Sequence, residues 1–327
     1  MHLLGWIEYN GKSLTHEEIV SLLCTNPANA RLFGGEFYLS WNGYEARDHY
    51  GVIPGPCPAG TLMHHGTIIG SVQPEIPEQN LEEAIISAVR LRSDTGVTAL
   101  SGGVDSTLVA SLAKLPCISV GLLDSHDTRQ AKQVAERLKL ELDQVIISPR
   151  EIEEVVLIVA NLESVWTPVD IGIATTLFFI AQRASECGYE RILTGQSADE
   201  IFGGYSRYLE TEDLAGDLAK DFRGLSYQAS RDQRIATYHH TYLSMPYLDT
   251  RVVSTAANIP PKEKVSEGIR KKPLRMVAAR HIPAEYAYYE KRAMQYGTGI
   301  WKEIKRLARH NGYNTSVQDY INSLRRT

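Results

Sequence analysis

The chain has 327 residues, a formal net charge of −5, 43% hydrophobic and 22% charged residues, and a pI near 6.1. This length points to two domains, and the mildly acidic balance argues against a basic nucleic-acid-binding surface. Cys24, Cys57, Cys117 and Cys187 form no Cys-x-x-Cys pair, and no signal peptide or membrane-length apolar run appears. The expected setting is the cytoplasm, away from membranes, with reduced thiols.

Residues 1–70 read as strand-rich. Asn10-Gly11 and Asn42-Gly43 are hairpin turns, and Phe37, Leu39 and Trp41 alternate so as to face a core. Proline and glycine between Pro54 and Gly60, then Pro74 and Pro77, place a boundary near residues 70–78. Beyond it, Asn80 caps a helix whose Leu81, Ala84, Ile85, Ala88 and Val89 share a face. A strand from Val97 to Leu100 follows, then a helix over 104–115, a strand over 117–122, a helix over 128–140 and a strand over 144–148. A helical stretch broken at Pro168 leads to a strand over 191–194, and the remainder beyond residue 205 is mostly helical. The alternation predicts an α/β fold with a doubly wound parallel sheet, its ligand at the carboxyl ends of the strands. Cys117 falls inside a strand as a small core residue.

Two segments follow strands directly. In Ser101-Gly102-Gly103-Val104-Asp105-Ser106-Thr107 the paired glycines let backbone N–H groups turn toward an anion at a helix N-terminus. There is no Walker-type lysine. Instead Ser101 and Ser106 supply hydroxyls and Asp105 a carboxylate, a set suited to pyrophosphate held through Mg²⁺. The loop resembles the PP-loop of ATP pyrophosphatases, which cleave ATP between the α- and β-phosphates. The second segment, Thr194-Gly195-Gln196-Ser197-Ala198-Asp199-Glu200-Ile201-Phe202-Gly203-Gly204-Tyr205, adds another carboxylate pair. Together the two resemble the synthetase domain of the class B asparagine synthetase family, which includes β-lactam synthetases. The likeness continues at Pro246-Tyr247-Leu248-Asp249, at Lys271-Lys272-Pro273-Leu274-Arg275 and at Glu290-Lys291-Arg292, covering residues 77–300.

The resemblance implies an ATP- and Mg²⁺-dependent carbon–nitrogen ligase. A small-molecule carboxylate, with aspartate the default, attacks the α-phosphorus, and ammonia or an amine displaces AMP. By position, Asp105 and Asp199 would hold Mg²⁺, with Glu200 supporting them, and Lys291 would stabilise developing charge. Ser101, Gly102, Gly103 and Ser106 would cradle the phosphates, and the backbone at Leu100, Val120 and Gly195 would frame the adenine. Asp249 is expected to order its neighbouring helix. Lys262, Lys264, Arg270, Lys271, Lys272 and Arg275 either guide an anionic substrate or form a solvated helix face. His64-His65 and His239-His240 lack a carboxylate at metal-ligand spacing and read as polar surface.

Two departures from the family pattern bear on function. Residues 32–54 resemble the later part of the family's glutamine amidotransferase domain, whose nucleophile is an N-terminal cysteine, yet position 2 is His2. Residues 1–76 are therefore expected to be a shortened remnant without glutaminase activity, preceding a synthetase domain over 77–327, with a separate ammonia-supplying protein as a conceivable partner. Gln196 stands where asparagine synthetases place a glutamate base, and a carboxamide cannot take a proton at neutral pH. On this reasoning Gln196→Glu should speed transfer to ammonia. Two other classes stand beside the favoured one: a non-catalytic adenylate-binding protein, and a PP-loop RNA-modifying enzyme, which the acidic pI and absent Cys-x-x-Cys disfavour. No motif encodes the oligomeric state.

Overall fold

The computed structural model describes residues 1–163, 165–290 and 294–325. They fall into two compact units that are not consecutive in sequence: Met1–Asp94, Gly195–Gln233 and Ser244–Val277 form the first, and Thr95–Thr194, Arg234–Leu243 and Ala278–Thr327 the second.

The first unit opens with strands β1 (His2–Tyr9) and β2 (Lys12–Ser13), helix α1 (His16–Thr25), and strands β3 (Gly34–Trp41), β4 (Tyr44–Arg47), β5 (Thr61–His64) and β6 (Thr67–Ser71). They build one sheet in the order β2-β1-β3-β4-β5-β6. Both hairpin turns lie where Asn-Gly predicts them, with positive φ at Asn10 and Gly11 and at Asn42 and Gly43. Phe37 and Leu39 pack with Ile7, Ile19, Phe33 and Leu62 in a core that also takes in Trp41 and Ala46. Helix α2 (Leu81–Arg90) starts at a capping box in which Asn80 and Glu83 each accept the other's backbone N–H at 3.0 Å.

The opposite face of β3 carries a buried ionic network that no local pattern announces. Glu36, 1% exposed, accepts from Arg92 Nε at 3.0 Å, Met245 N at 2.8 Å, Trp6 Nε1 at 3.1 Å and the Ser244 hydroxyl. Arg92 also donates to Asp249 at 2.8 Å. Asp249 in turn accepts from Arg251 N at 2.9 Å, capping the helix that begins at Thr250, while Arg251 reaches Glu8. Burial pushes the Asp249 carboxyl up, but Arg92 and Arg251 outweigh it and hold it below its usual range. Arg92→Ala would leave Glu36 and Asp249 buried without their shared cation, at a cost of about 3–5 kcal/mol. Denaturant unfolding checks this, and a loss below about 1 kcal/mol would contradict it.

The second unit contains β7 (Val97–Ala99), α3 (Val104–Ala113), β8 (Cys117–Leu122), α4 (His126–Leu138), β9 (Leu142–Ile147), α5 (Pro149–Leu162), α6 (Pro168–Glu186) and β10 (Arg191–Leu193), with β11 (Tyr242–Ser244) at the sheet edge. The order is β11-β10-β7-β8-β9, and the pairs β10–β7, β7–β8 and β8–β9 are parallel. The chain steps outward from β7 to β9 and then returns to lay β10 on the other side of β7. Right-handed crossovers therefore place α3 and α4 on one face and α5 and α6 on the other, with the switch point between β7 and β10. This is the doubly wound parallel α/β sheet that the alternation predicts. Strand β9 begins two residues earlier than its sequence reading, and Ser148 caps α5 instead of ending the strand. Pro168 occupies the first turn of α6 behind a Thr167–Asp170 capping box, so it starts a helix where its N–H is not needed.

Cys117 is buried, and burial pushes its thiol up to about 12. His239 departs from a polar-surface reading. It is half-buried with its ring 4.2 Å from that of Phe178, and burial lowers its pKa. Among the described residues no helix is long and apolar enough to cross a membrane.

Candidate active site

The 101–107 loop leaves β7 at the switch point. Leu100, 2% exposed, donates its N–H to Ile118 O at 2.8 Å, extending the β7–β8 pairing to the loop's edge, and Val120 lies buried in β8. Gly102 has φ +78°, and a Cβ there would lie 2.5 Å from Gln130 Cγ and 2.9 Å from the Gln130 carbonyl carbon. Only glycine lets this backbone pass so close to α4. Gly103 is the N-cap of α3 and contributes no side-chain cap, which leaves first-turn N–H groups to an incoming anion. Ser101 and Ser106 share a hydrogen bond of 2.8 Å, and Ser106 Oγ accepts from Ser101 N at 3.2 Å. Asp105 stands in the first turn of α3. Ser101, Gly102, Gly103, Asp105 and Ser106 are thus gathered on a single turn.

In the first unit, Gly195 and Gln196 lead through Ser197, at φ +69°, into the short helix α7 (Ala198–Phe202). Opposite it runs α8 (Leu214–Tyr238). Gln196 and Glu200 are four residues apart, as are Gln228 and Asp232, and the two pairs meet face to face. Gln196 Nε2 donates to Asp232 Oδ2 at 2.6 Å, and Gln228 Nε2 donates to Glu200 Oε1 at 2.9 Å. Asp232, 2% exposed, is held on its other oxygen by Arg231 Nε at 2.7 Å. Glu200 also accepts from the Tyr205 hydroxyl, and burial together with neighbouring Asp199 raises its pKa. Asp232, Arg231, Gln228 and Tyr205 carry no motif. Only the helical spacing of 228 and 232 marks them, and only once the partner face is known.

The basic cluster is solvated only in part: Lys262 is exposed. Lys271 and Arg275 are buried. Lys271 Nζ meets Asp199 Oδ1 at 2.7 Å, Arg270 donates to Gly204 O at 2.7 Å, and Lys264 donates to Ile201 O at 2.9 Å. A Cβ on Gly204 would fall 1.7 Å from Asp199 Oδ1 and 2.2 Å from Lys271 Cε, so its glycine is what allows the contact. Lys264, Arg270 and Lys271 clamp the 199–204 turn. Lys291 lies outside the described residues. Among the described residues no group of three or more His, Cys, Asp or Glu is gathered as a metal cage.

The family model described as asparagine synthase matches residues 79–231 and 218–322. The chain belongs to the asparagine synthase family. Within it, the chain is 32% identical over 296 residues to the "Putative asparagine synthetase (glutamine-hydrolyzing) 1" of Methanocaldococcus jannaschii, covering 77% of this chain and 54% of that protein. Against asparagine synthetase B (glutamine-hydrolyzing) of Escherichia coli the identity is 23% over 247 residues, covering 68% and 44%. The chain spans about half the length of these relatives. Both long motifs, at 101–107 and 194–205, lie inside the family match.

Proposed function

We propose that this chain is an ATP-dependent amide synthetase. A carboxylate attacks the α-phosphorus of ATP, pyrophosphate departs, and ammonia or an amine takes the acyl group as AMP leaves. The observation that carries this reading is the glycine-built, side-chain-uncapped turn at 101–106 standing at the sheet's switch point. Its N–H groups and the Ser101 and Ser106 hydroxyls are assigned to the phosphates, and the backbone at Leu100, Val120 and Gly195 to the adenine. Asp105 and Asp199 are assigned to Mg²⁺, with Glu200 behind Asp199. The donor chemistry fits in kind, since both carboxylates offer the hard oxygen ligands that Mg²⁺ takes. When bound, Mg²⁺ neutralises pyrophosphate charge. Lys291 is assigned to the charge that develops during adenylation and acyl transfer.

The test is product analysis with ATP, Mg²⁺, ammonium or an amine, and a panel of carboxylates beginning with aspartate. AMP and pyrophosphate in equal amounts with the amide are expected, whereas ADP and phosphate would overturn the reading. A nucleotide-binding protein without catalysis is the second reading, favoured by Gln196 in place of an acidic base.

Residues 1–76 are proposed to be amidotransferase-like without glutaminase action. Of their two cysteines, Cys57 is buried with its thiol pushed up by burial, and Cys24 sits exposed in the last turn of α1. Both lie within the chain, and neither carries the free α-amino group that the reaction uses. Glutamine is expected to be inert as nitrogen donor to the protein of this sequence, and ammonia or an amine to be required. Glutamate release in step with amide formation would refute this.

A further inference from the structure

At the amino end of α4, in the second unit, three side chains form a line that the roles above do not use. His126 Nδ1 lies 3.1 Å from Asp127 Oδ1, and His126 Nε2 lies 2.6 Å from the Tyr289 hydroxyl. Asp127 is 2% exposed, whereas the His126 side chain keeps 30% exposure. A carboxylate only accepts, so Nδ1 carries the imidazole proton. In the neutral ring Nε2 then has a lone pair, and the Tyr289 hydroxyl donates to it. The order Asp–His–hydroxyl is that of a relay able to draw a proton from the hydroxyl while the carboxylate steadies the imidazolium.

Its surroundings place it beside the phosphate loop. Gln130, one helical turn beyond His126, is the residue against which Gly102 closes. Gly297 and Thr298 pack at the same corner: Leu122 N donates to Thr298 O at 3.0 Å, and a Cβ on Gly297 would lie 2.0 Å from Asp127 Oδ1. Gly297 is thus the residue that lets the backbone press on the buried carboxylate.

We propose that Tyr289 receives the proton of the attacking nitrogen, with His126 and Asp127 as the positioning residues behind it; this rests on the amide-synthetase reading. As the C–N bond forms, the nitrogen's proton passes to the Tyr289 oxygen and the hydroxyl's own proton passes to His126 Nε2. The acyl C–O bond breaks, and its electron pair leaves on the AMP phosphate. Gln196 is then not required as a base.

The experiment separates the two half-reactions in single turnover. Tyr289→Phe and His126→Ala should keep ATP–pyrophosphate exchange within a few-fold of wild type while amide formation falls by roughly 10²–10⁴, the range of a positioned proton acceptor. His126→Gln, which can still accept a hydrogen bond but cannot take the proton, should remain as slow. Recovery with His126→Gln, equal loss of both steps, or unchanged amide formation would each overturn the relay. ¹⁵N NMR of His126 judges it independently of turnover: a proton on Nδ1 and an Nε2 signal that moves in Tyr289→Phe are expected, and an Nε2-protonated ring in the wild type would overturn it. Absence of exchange in the wild type with every carboxylate would instead sink the amide-synthetase reading.

Discussion

Asp105→Asn and Asp199→Asn are each expected to reduce adenylation on the order of 10³-fold, and Lys291→Ala about 10²–10³-fold, with much smaller effects of Lys291→Ala on ATP binding. The two aspartate changes remove one negative charge each and almost no volume. Asp105 stands in the first turn of α3, where its charge also favours the helix N-terminus. Asp199 faces the ammonium of Lys271, itself 5% exposed. Asp199→Asn therefore takes an anionic partner from a buried cation and should also lower thermal stability. Adenylation is read by single-turnover formation of the acyl-adenylate, and near-wild-type rates in all three variants would favour a nucleotide-binding protein without catalysis.

Gln196→Glu is the second large effect, and the structure reverses the direction that the sequence predicts. The sequence alone makes glutamate a gain, because it restores a base. Yet Gln196 Nε2 donates to Asp232 Oδ2 at 2.6 Å, and a glutamate there would set two carboxylates against each other in a place where Asp232 is 2% exposed. Like charges so close raise each other's affinity for a proton, which works against a free carboxylate base at 196. Replacing the amide donor by a second carboxylate costs repulsion or the uptake of a proton, about 1.5–3 kcal/mol, or roughly 10–10²-fold. Amide formation is expected to fall by that factor with ammonia and amines alike, while adenylation changes little. Asp232→Asn should leave Gln196 nearer its place and be milder. A faster second step in Gln196→Glu would mean that Asp232 does not govern the group at 196.

The parts of this molecule legible in its sequence are those written in consecutive residues. Asn-Gly turns, the Asn80 cap, strand–helix alternation and the glycine pair at 102–103 depend on backbone conformations that a few neighbouring residues dictate. What stayed hidden depends on pairs far apart in the chain. Arg92 joins Glu36 and Asp249 across 56 and 157 positions, and Gln196 meets Asp232 across 36. No periodicity encodes such partners. Lys271 shows the same limit from the other side. In a run of basic residues a solvated lysine is the ordinary expectation, and only the turn at 199–204, brought against it with Gly204 giving room, turns it into a buried counter-ion. His126 and Tyr289 likewise meet across 163 positions.

The claim on which the rest depends is that this chain makes an acyl-adenylate, and carboxylate-dependent ATP–pyrophosphate exchange tests it most directly. With Mg²⁺, ATP and labelled pyrophosphate, label is expected to enter ATP when one member of the carboxylate panel is present, without any nitrogen donor, and to fail to do so with Asp105→Asn. Saturable ATP binding with no exchange for any carboxylate would contradict the claim.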